Sequence, residues 1–305
     1  MIGTWDDNRG LFRPTRAALS HLPPSKIPVR VLLNDVGFPA ELGSMPQPVK
    51  ALWYVGRLPD ATDRGLAVVG ARAASMAKCK IAHDLAASAA RHGFAIVSGG
   101  ALGIDAAAHR GALDAGGRTF AVLGCGVDIV YPDRHSRLYA DVAATGGLIS
   151  EYEPGTPPRA GQFPPRNRII AALAEVVLVV EAGFASGALI TARVAPKLGR
   201  RVLAVPGSPG TDDLIARGVA RPTVDVDAVL RALDGEAPAA RAVPARYAAL
   251  VAELQLGDGR PAELSRRLRL PLADTLALIG EAEPDGWICR CPGGALASME
   301  RTRGN

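Results

Sequence analysis

Short, continuous apolar runs alternate with helical segments between Gly65 and Val205, and this alternation constrains the fold more than any other feature. The predicted strands are Leu66–Gly70, Phe94–Val97, Thr119–Leu123, Leu148–Ser150, Val176–Val180 and Val202–Val205, and the predicted helices are Ala74–His92, Gly103–Ala115, Arg137–Ala144, Asn167–Ala174 and Gly187–Leu198. Strands that are apolar throughout are covered on both faces, which is typical of parallel sheets. The pattern therefore predicts an α/β fold with a doubly wound, mostly parallel sheet.

Glycine or proline follows most of these strands, at Gly70, Gly99, Gly124 and Pro206. In doubly wound sheets, ligands bind in the crevice outside the carboxyl ends of the strands. We therefore expect the loops that follow the strands to hold the functional site.

The composition suits such a core but leaves the ligand open. Hydrophobic residues make up 48% of the 305 residues and aromatic residues only 5%, so the core is built mainly from Ala, Val, Leu and Ile. The net charge is +5, and the positive residues are mostly Arg. A GC-rich coding bias explains the arginines more readily than a need for bidentate phosphate contacts.

The segments on either side of the sheet region have a different character. Proline punctuates residues 1–60, which favours irregular structure with short strands at Val29–Leu33 and Ala51–Val55. The C-terminal segment contains three helical stretches followed by a hairpin around Pro292-Gly293, the order found in a winged helix. We predict an irregular N-terminal region (1–60), a sheet domain (61–233), a linker (234–245) and a small C-terminal winged-helix domain (246–305).

The four cysteines lack the spacing of a zinc site or a disulfide framework, so we expect free thiols in a reducing cytosol and no metal. The polar stretch up to Arg16 argues against a signal peptide. The sequence has no apolar run close to the roughly 18 residues of a membrane span. These features predict a cytoplasmic protein without a membrane partner.

The loop after the first predicted strand reads VVGARAAS, from Val68 to Ser75. Ser75 is placed to cap the next helix, and Arg72 lies in the loop, where a helix N-terminus and a guanidinium group together attract anions. A surface arginine beside an ordinary helix cap explains this loop equally well.

The next loop reads SGGALGIDAAAH, from Ser98 to His109. Its glycines permit a tight turn and the close approach of a backbone, but it lacks the GK[ST] ending of a P-loop, which argues against ATP hydrolysis. Asp105 lies in the first helical turn, four residues before His109, so the two side chains can pair. We favour a structural role for them over an acid–base dyad, because spacing alone places no nucleophile beside them.

A third stretch, FPPRNRIIAALA, places Arg166, Asn167 and Arg168 just before an apolar helical pattern. Two guanidinium groups and an amide at a helix start favour phosphate binding. The alternative is an ordinary helix cap by Asn167 flanked by solvated arginines.

A fourth stretch, VVLVVEAGFASGALITA, ends a buried strand at Glu181 and continues into a loop with Ser186 and Gly187. This loop is expected at the same edge of the sheet. Glu181 can meet ribose hydroxyls or pair with Arg166 or Arg168, and we favour the pairing because a lone acid repels phosphate.

Together and in this order, these stretches resemble the DNA-processing protein A family (DprA, also called Smf). The resemblance rests on VVGARAAS, SGGALGIDAAAH, FAVLGCGVDIVYP, GGLISE, FPPRNRIIAALA, VVEAGFASGALITA and RVLAVPG, and it covers about residues 60–232. So many correctly spaced matches are far more specific than a single glycine motif. The C-terminal segment also resembles the winged-helix domain that many members carry.

The resemblance implies an extended Rossmann-like fold and a homodimer that binds single-stranded DNA, without enzymatic activity or a cofactor. It also implies a mediator of natural transformation that protects incoming DNA and loads RecA recombinase onto it. From the motifs and the resemblance together, the candidate DNA-binding residues are Arg72, Ser75, Ser98, Gly99, Gly100, Arg134, Arg166, Asn167, Arg168, Ser186 and Gly187. Asp105, His109 and Glu181 are expected to support the pocket.

The chain departs from the family pattern in three places. Asp212 or Asp213 replaces an amide, and a carboxylate there is expected to weaken anion binding locally. After YP, where the family often carries a lysine and an asparagine, the chain has Asp133, Arg134, His135 and Arg137, and Arg134 is the candidate substitute. Residues 1–60 are too short and too rich in proline for the complete helical domain of many members.

Two other functions stay open. One is a nucleotide-processing enzyme or sensor of the related phosphoribohydrolase type, although its PGGxGTxxE motif is absent. The other is a winged-helix regulator of duplex DNA that reads a groove with Arg266, Arg267 and Arg269. Low aromatic content argues against a broad stacking platform. The rings that offer one base a face are Tyr131, Phe163 and Phe184, and for each of them core packing is the favoured role.

Overall fold

The computed structural model describes residues 4–6, 11–13, 27–223, 225–234, 243–256, 259–283, 287–290 and 295–298. The strands are β1 (Thr4–Asp6), β2 (Leu11–Arg13), β3 (Val29–Leu32), β4 (Ala51–Gly56), β5 (Gly65–Val69), β6 (Ala95–Ser98), β7 (Thr119–Val122), β8 (Gly147–Ser150), β9 (Val176–Val179), β10 (Arg201–Ala204), β11 (Arg221–Pro222), β12 (Ile288–Arg290) and β13 (Leu296–Ser298). The α-helices are α1 (Ala40–Gly43), α2 (Met76–Arg91), α3 (Ile104–Asp114), α4 (Ser136–Thr145), α5 (Phe163–Ala172), α6 (Ala188–Val194), α7 (Pro209–Ala216), α8 (Val226–Leu233), α9 (Ala245–Leu256), α10 (Pro261–Leu268) and α11 (Leu272–Ala282). None of the helices in these ranges is long and apolar enough to cross a membrane.

A mixed sheet organises most of the described chain, with the strand order β11-β10-β9-β5-β6-β7-β8-β4-β3. The strands from β11 to β8 are parallel, and β4 and β3 continue the sheet antiparallel. The chain runs from β5 through β6 and β7 to β8, then returns to place β9, β10 and β11 on the other side of β5. The carboxyl ends of β5 and β9 are therefore the topological switch point, where such sheets bind ligands. The predicted doubly wound, mostly parallel α/β fold is confirmed.

Helices cover both faces of the sheet because alternate residues of each strand point to opposite sides. In β5, which is buried throughout, Leu66 and Val68 pack in the cluster that holds residues of α2 and α3. Ala67 and Val69 pack in the other cluster, with residues of α5 and α6. These two layers fix the loops at the carboxyl edge of the sheet.

Strands β3 and β4 belong to the sheet, so residues 27–56 are not a separate irregular region. The two short strands predicted there are present: β4 pairs with β8, and β3 forms the edge, with Val29 opposite Tyr54. A boundary at residue 60 would divide β4 from its own sheet. The rest of the predicted N-terminal region, residues 1–26 apart from β1 and β2, lies outside the described residues.

The C-terminal helices form a second core. Helices α9, α10 and α11 pack around Tyr247, Leu264, Ile279 and Trp287, and β12 pairs antiparallel with β13. Helices and strands follow the predicted order, while the winged-helix assignment and the bounds of the linker and the C-terminal domain stay predictions. The predicted turn at Pro292-Gly293 and most of the predicted linker lie outside the described residues.

Candidate nucleic-acid interface

A cavity of about 680 Å³ opens at the carboxyl ends of β5 and β9. Its walls come from the loop after β5, the start of α5 and the loop between β9 and α6. The charged side chains among its described lining are Arg72, Arg166 and Asp105. A smaller cavity of about 50 Å³ shares Arg72 and Arg166 with it and extends to Gly99 and Gly100. The switch point thus carries two arginines against one carboxylate.

Arg72 stands at the open side of this cavity on a tightly held loop. The Ala71 N–H donates to the Glu181 carbonyl at 2.8 Å, which ties the loop to the end of β9. Gly103 packs beneath the loop at a φ of +74°, and a Cβ there would overlap the carbonyl oxygens of Ala71 and Arg72. The Arg72 side chain is exposed, and its guanidinium carbon lies 5.1 Å from the centre of the Phe163 ring. The fold therefore holds the backbone that carries this charge in place.

Ser75 and Glu181 bind each other. Ser75 Oγ accepts the Lys78 N–H at 3.3 Å and so caps α2, and the Ser75 N–H donates to Glu181 Oε2 at 3.0 Å. The expected pairing of Glu181 with Arg166 or Arg168 is wrong, because its carboxylate reaches the N-terminus of α2, where negative charge is favoured. Neither Ser75 nor Glu181 is among the described residues that line the cavity.

The glycine loop is built around the buried carboxylate of Asp105. Its Oδ2 accepts the N–H groups of Gly99 at 3.1 Å and of Ala101 at 3.2 Å. Burial raises the pKa of Asp105 above its usual value, and the nearby positive charge of Arg166 offsets only part of this increase. A Cβ on Gly99 would lie 2.7 Å from the Asp105 carboxylate and 2.8 Å from Arg166 Nη2, so this position has no room for a side chain.

Gly100 is held from beneath by two residues to which the motifs gave no role. Its φ of +69° is one that glycine adopts without strain. His135 Nδ1 donates to the Gly100 carbonyl at 2.9 Å, and Tyr139 Oη lies 3.1 Å from the same oxygen. Burial lowers the pKa of His135. The sequence signal that would have found them is a His and a Tyr four residues apart at the start of α4.

Arg166 forms the floor of the cavity, but its guanidinium group turns inward. Nη1 donates to the carbonyl of Gly99 at 2.7 Å and to that of Val122, and Nε donates to Asn167 Oδ1 at 3.2 Å. The residue is only 5% exposed. Burial lowers the pKa of its guanidinium below the usual value, and the negative charge of Asp105 offsets only part of this decrease. Arg166 therefore contributes positive charge to the cavity, with its donors largely used inside the protein.

Neither Arg168 nor Arg134 is among the described residues that line the two cavities, which corrects the prediction that Arg168 shares this pocket. DNA binding by Arg134 stays a prediction. Arg168 makes a two-point ion pair with Glu151, at 2.6 Å and 2.7 Å. Helix α5 begins at Phe163, earlier than predicted, so Arg166 and Arg168 both lie within it and point to nearly opposite sides, about 160° apart around its axis. Arg134 is exposed on the short 3-10 turn before α4.

The loop between β9 and α6 supplies a further wall. The Ser186 N–H donates to the Gly183 carbonyl at 3.0 Å and closes a turn over residues 183–186. Asn167 lies inside α5 and does not cap it. Instead, its Nδ2 donates to the Gly187 carbonyl at 3.0 Å. Ser186, Gly187 and Asn167 all line the cavity, and their contact with DNA stays a prediction.

Ser98 and His109 face the core. Ser98 Oγ donates to the Val68 carbonyl at 2.6 Å, so its hydroxyl is not offered to a ligand. His109 Nδ1 bonds to Thr119 Oγ1 at 2.7 Å, and the predicted pair with Asp105 is absent. The reason is that α3 carries His109 one turn deeper than Asp105. Burial lowers the pKa of His109 to about 3, so the ring is neutral.

The acidic departures from the family pattern lie away from the cavity lining. Asp212 Oδ1 accepts the Gly207 N–H at 2.9 Å, and Asp213 pairs with Arg217 at 2.8 Å. Burial raises the pKa of Asp212. Asp133, Asp212 and Asp213 are not among the residues described as lining the two cavities. The expected weakening of anion binding by these carboxylates therefore has no direct contact to support it.

Comparison of sequences relates the chain to a known family. Residues 30–234 match the family described as DNA recombination-mediator protein A. The chain is 42% identical over 236 residues to a putative DNA processing protein DprA of Mycobacterium tuberculosis, which covers 68% of this chain and 61% of the relative. It is 41% identical over 184 residues to the protein Smf of Synechocystis, which covers 59% of this chain and 46% of the relative. The matches thus span about half to three-fifths of these relatives' length.

Two solved structures share the fold. DNA processing protein A of Streptococcus pneumoniae superposes with a TM-score of 0.62 at 37% identity and covers 71% of this chain and 77% of its own. The protein of the same name from Helicobacter pylori superposes with a TM-score of 0.61 at 30% identity and covers 68% of this chain and 96% of its own. The H. pylori structure is described in terms of a single-stranded DNA binding mode.

Proposed function

This chain belongs to the DNA recombination-mediator protein A family, and from that premise we propose that its cavity binds the sugar–phosphate backbone of single-stranded DNA. The proposal is supported by the H. pylori relative, which is described as binding single-stranded DNA. The observation that carries it is the exposed guanidinium group of Arg72 at a cavity with two arginines and one carboxylate.

Arg72 is suited to a phosphate in both geometry and charge. A guanidinium group offers a planar fork of donors that matches the oxygens of phosphate. Its position over the Phe163 ring orients the fork, since a cation is attracted to the face of an aromatic ring. Within the described part of the chain, no hydrogen bond engages the Arg72 side chain, so its donors are available to a ligand.

The remaining lining favours a backbone over a compact ligand. Gly183, Ser186 and Gly187 present small surfaces that let a nucleic-acid strand approach the loop. The buried charge of Arg166 adds attraction from the floor of the cavity. Contacts of this kind are independent of base sequence and weaken as salt rises, because binding releases counterions.

A nucleotide-processing enzyme is the alternative at the same cavity. Hydrolysis needs an acid or base that is free to move a proton. Asp105 is the carboxylate among the described lining residues, and its Oδ2 is engaged by two backbone N–H groups. Glu181 binds the start of α2 instead. Release of free base from nucleoside monophosphates, abolished by Glu181→Gln, would support the enzyme.

A winged-helix regulator of duplex DNA is less favoured by the charges of the C-terminal helices. Arg266 pairs with Glu263 at 2.5 Å and Arg267 with Glu253 at 3.5 Å. Helix α11 carries Asp274 and Glu281 but no basic residue. Two of the three arginines in this hypothesis are thus paired with acids, and the third, Arg269, is exposed at the C-terminal end of α10.

We also propose a mediator role for the whole protein, as a homodimer in the cytoplasm that protects incoming single strands and loads RecA during natural transformation. The family description as a recombination mediator supports it. The test is the rate at which RecA forms filaments on single strands coated with single-strand-binding protein. The protein should raise that rate, and an unchanged rate would contradict the mediator role.

The binding proposal is tested by fluorescence anisotropy with a labelled oligothymidylate. Arg72→Ala should lower the affinity about tenfold or more, because a hydrogen bond to a charged group contributes about 1.5–3 kcal/mol. Arg91→Ala is the matched control, since Arg91 is also exposed but ends α2 at the opposite edge of the sheet. Identical curves for Arg72→Ala and the wild type would contradict the site. Equal affinity for a hairpin duplex would favour the duplex regulator.

A further inference from the structure

Phe184 lies at the tip of the loop between β9 and α6, with 59% of its surface exposed. The hydrogen bond from the Ser186 N–H to the Gly183 carbonyl makes Phe184 and Ala185 the central residues of a β-turn. Central turn positions favour Gly, Pro, Asn, Asp and Ser, so the turn itself gives no reason for a large aromatic side chain. A single exposed hydrophobic residue is common on protein surfaces, so the position of this one has to carry the inference.

The turn is anchored on both sides. The Ala182 N–H donates to Ser208 Oγ at 3.0 Å, and the Ala182 carbonyl accepts the Gly210 N–H at 2.7 Å. At the other end, the Gly187 carbonyl accepts from Asn167 Nδ2. A ring on a turn held in this way costs little ordering when a ligand binds.

The turn also lies beside the phosphate cavity. Gly183 and Ala185, on either side of Phe184, both line the cavity into which Arg72 faces. A strand with a phosphate in this cavity carries its bases toward the rim, because each base is attached to the same backbone. Phe184 is placed to meet one of them.

The aromatic residues among the described lining of the cavity, Tyr131 and Phe163, are already engaged. The Tyr131 and Phe163 rings lie 5.7 Å apart, and the guanidinium carbons of Arg72 and Arg166 lie 5.1 Å and 5.8 Å from the centre of the Phe163 ring. Tyr131 also packs against the hydrophobic core. Among the described residues, no aromatic ring or cation stacks on Phe184.

We infer that Phe184 is a stacking platform for one unpaired base of the bound strand, an inference that rests on the proposed function of the cavity. Every base has a π-face, so this contact tolerates any sequence and does not depend on charge. It adds a component of affinity for single strands that salt does not remove. A paired base is stacked inside a duplex and cannot use it, so Phe184 also favours single strands over duplexes.

The test compares two labelled oligomers, an oligothymidylate and an abasic strand of the same length and charge. Phe184→Ala should weaken binding of oligothymidylate about five- to hundredfold and leave binding of the abasic strand within twofold. Phe184→Trp should keep the affinity and show additional fluorescence quenching by oligothymidylate. Phe184→Leu, which keeps an apolar side chain but no ring, should behave like Phe184→Ala.

Unchanged binding of oligothymidylate by Phe184→Ala would overturn the stacking inference, and so would an equal loss on both oligomers. Failure of the proposed function looks different. In that case the wild type binds neither oligomer, or Arg72→Ala binds both as well as the wild type.

Discussion

Arg72 and Arg166 line one cavity, yet we predict that their removal affects different properties. Arg72→Ala should weaken single-strand binding and leave the free energy of unfolding within about 0.5 kcal/mol, because exposed side chains contribute little to stability. Arg166→Met should mainly destabilise the fold. The difference follows from the directions in which the two guanidinium groups point.

The cost of losing Arg166 can be worked from its contacts. The substitution leaves the Gly99 and Val122 carbonyls without this donor and leaves the charge of Asp105 without its counter-charge. Removing one partner from a buried, charged network costs about 3–5 kcal/mol. For a domain of this size, each kcal/mol lowers the melting temperature by about 2–4 °C. We therefore expect a decrease of roughly 6–20 °C.

The expected decrease is measured by thermal unfolding of Arg72→Ala, Arg166→Met and the double variant Asp105→Asn/Arg166→Met. The double variant should recover part of the loss, because it also removes the buried carboxylate charge. A melting temperature for Arg166→Met within 2 °C of the wild type (about 1 kcal/mol or less) would refute the assignment of Arg166 to the protein interior.

Two further predictions concern the glycine loop and the buried histidine. Gly103→Ala should lower both the melting temperature and the single-strand affinity, because its Cβ would displace the Ala71–Arg72 backbone; Gly116→Ala, at a similar φ of +70° but with open space around the Cβ, should lose only stability. If both variants bind DNA like the wild type, the loop does not position Arg72. His109 has a pKa of about 3 when folded against an ordinary 6.5, so the unfolded chain binds its proton first and stability falls as pH drops below 6.5. This loss is about 2 kcal/mol by pH 5, and urea unfolding should show His109→Leu losing about that much less than the wild type.

Much of the fold could be predicted because its strands are buried on both faces. Val176–Val179 and Leu66–Val69 are apolar without interruption, and their bounds were predicted to within one or two residues. The pairing of β4 with β8 could not be predicted, since these strands are distant in sequence and pairing depends on the assembled sheet. The start of α5 was missed because Pro164 and Pro165 indicate a break, although proline fits the first turn of a helix.

The place of the site could be predicted better than the directions of its side chains. The loops after the strands had to meet at one edge, and Arg72 is where that argument puts it. The directions of Arg166 and Arg168 depend on the register of α5, which a shift of a few residues changes. Glu181 binds Ser75 rather than an arginine because α2 begins beside the end of β9. Spacing along the chain carries no information about that approach.

The salt dependence of single-strand binding tests the central claim most directly. If Arg72 contacts a backbone phosphate, the slope of log K against log salt should become shallower by about 0.7 in Arg72→Ala. Arg91→Ala should keep the slope of the wild type. A slope for Arg72→Ala equal to that of the wild type would contradict the claim that this cavity binds the DNA backbone through Arg72.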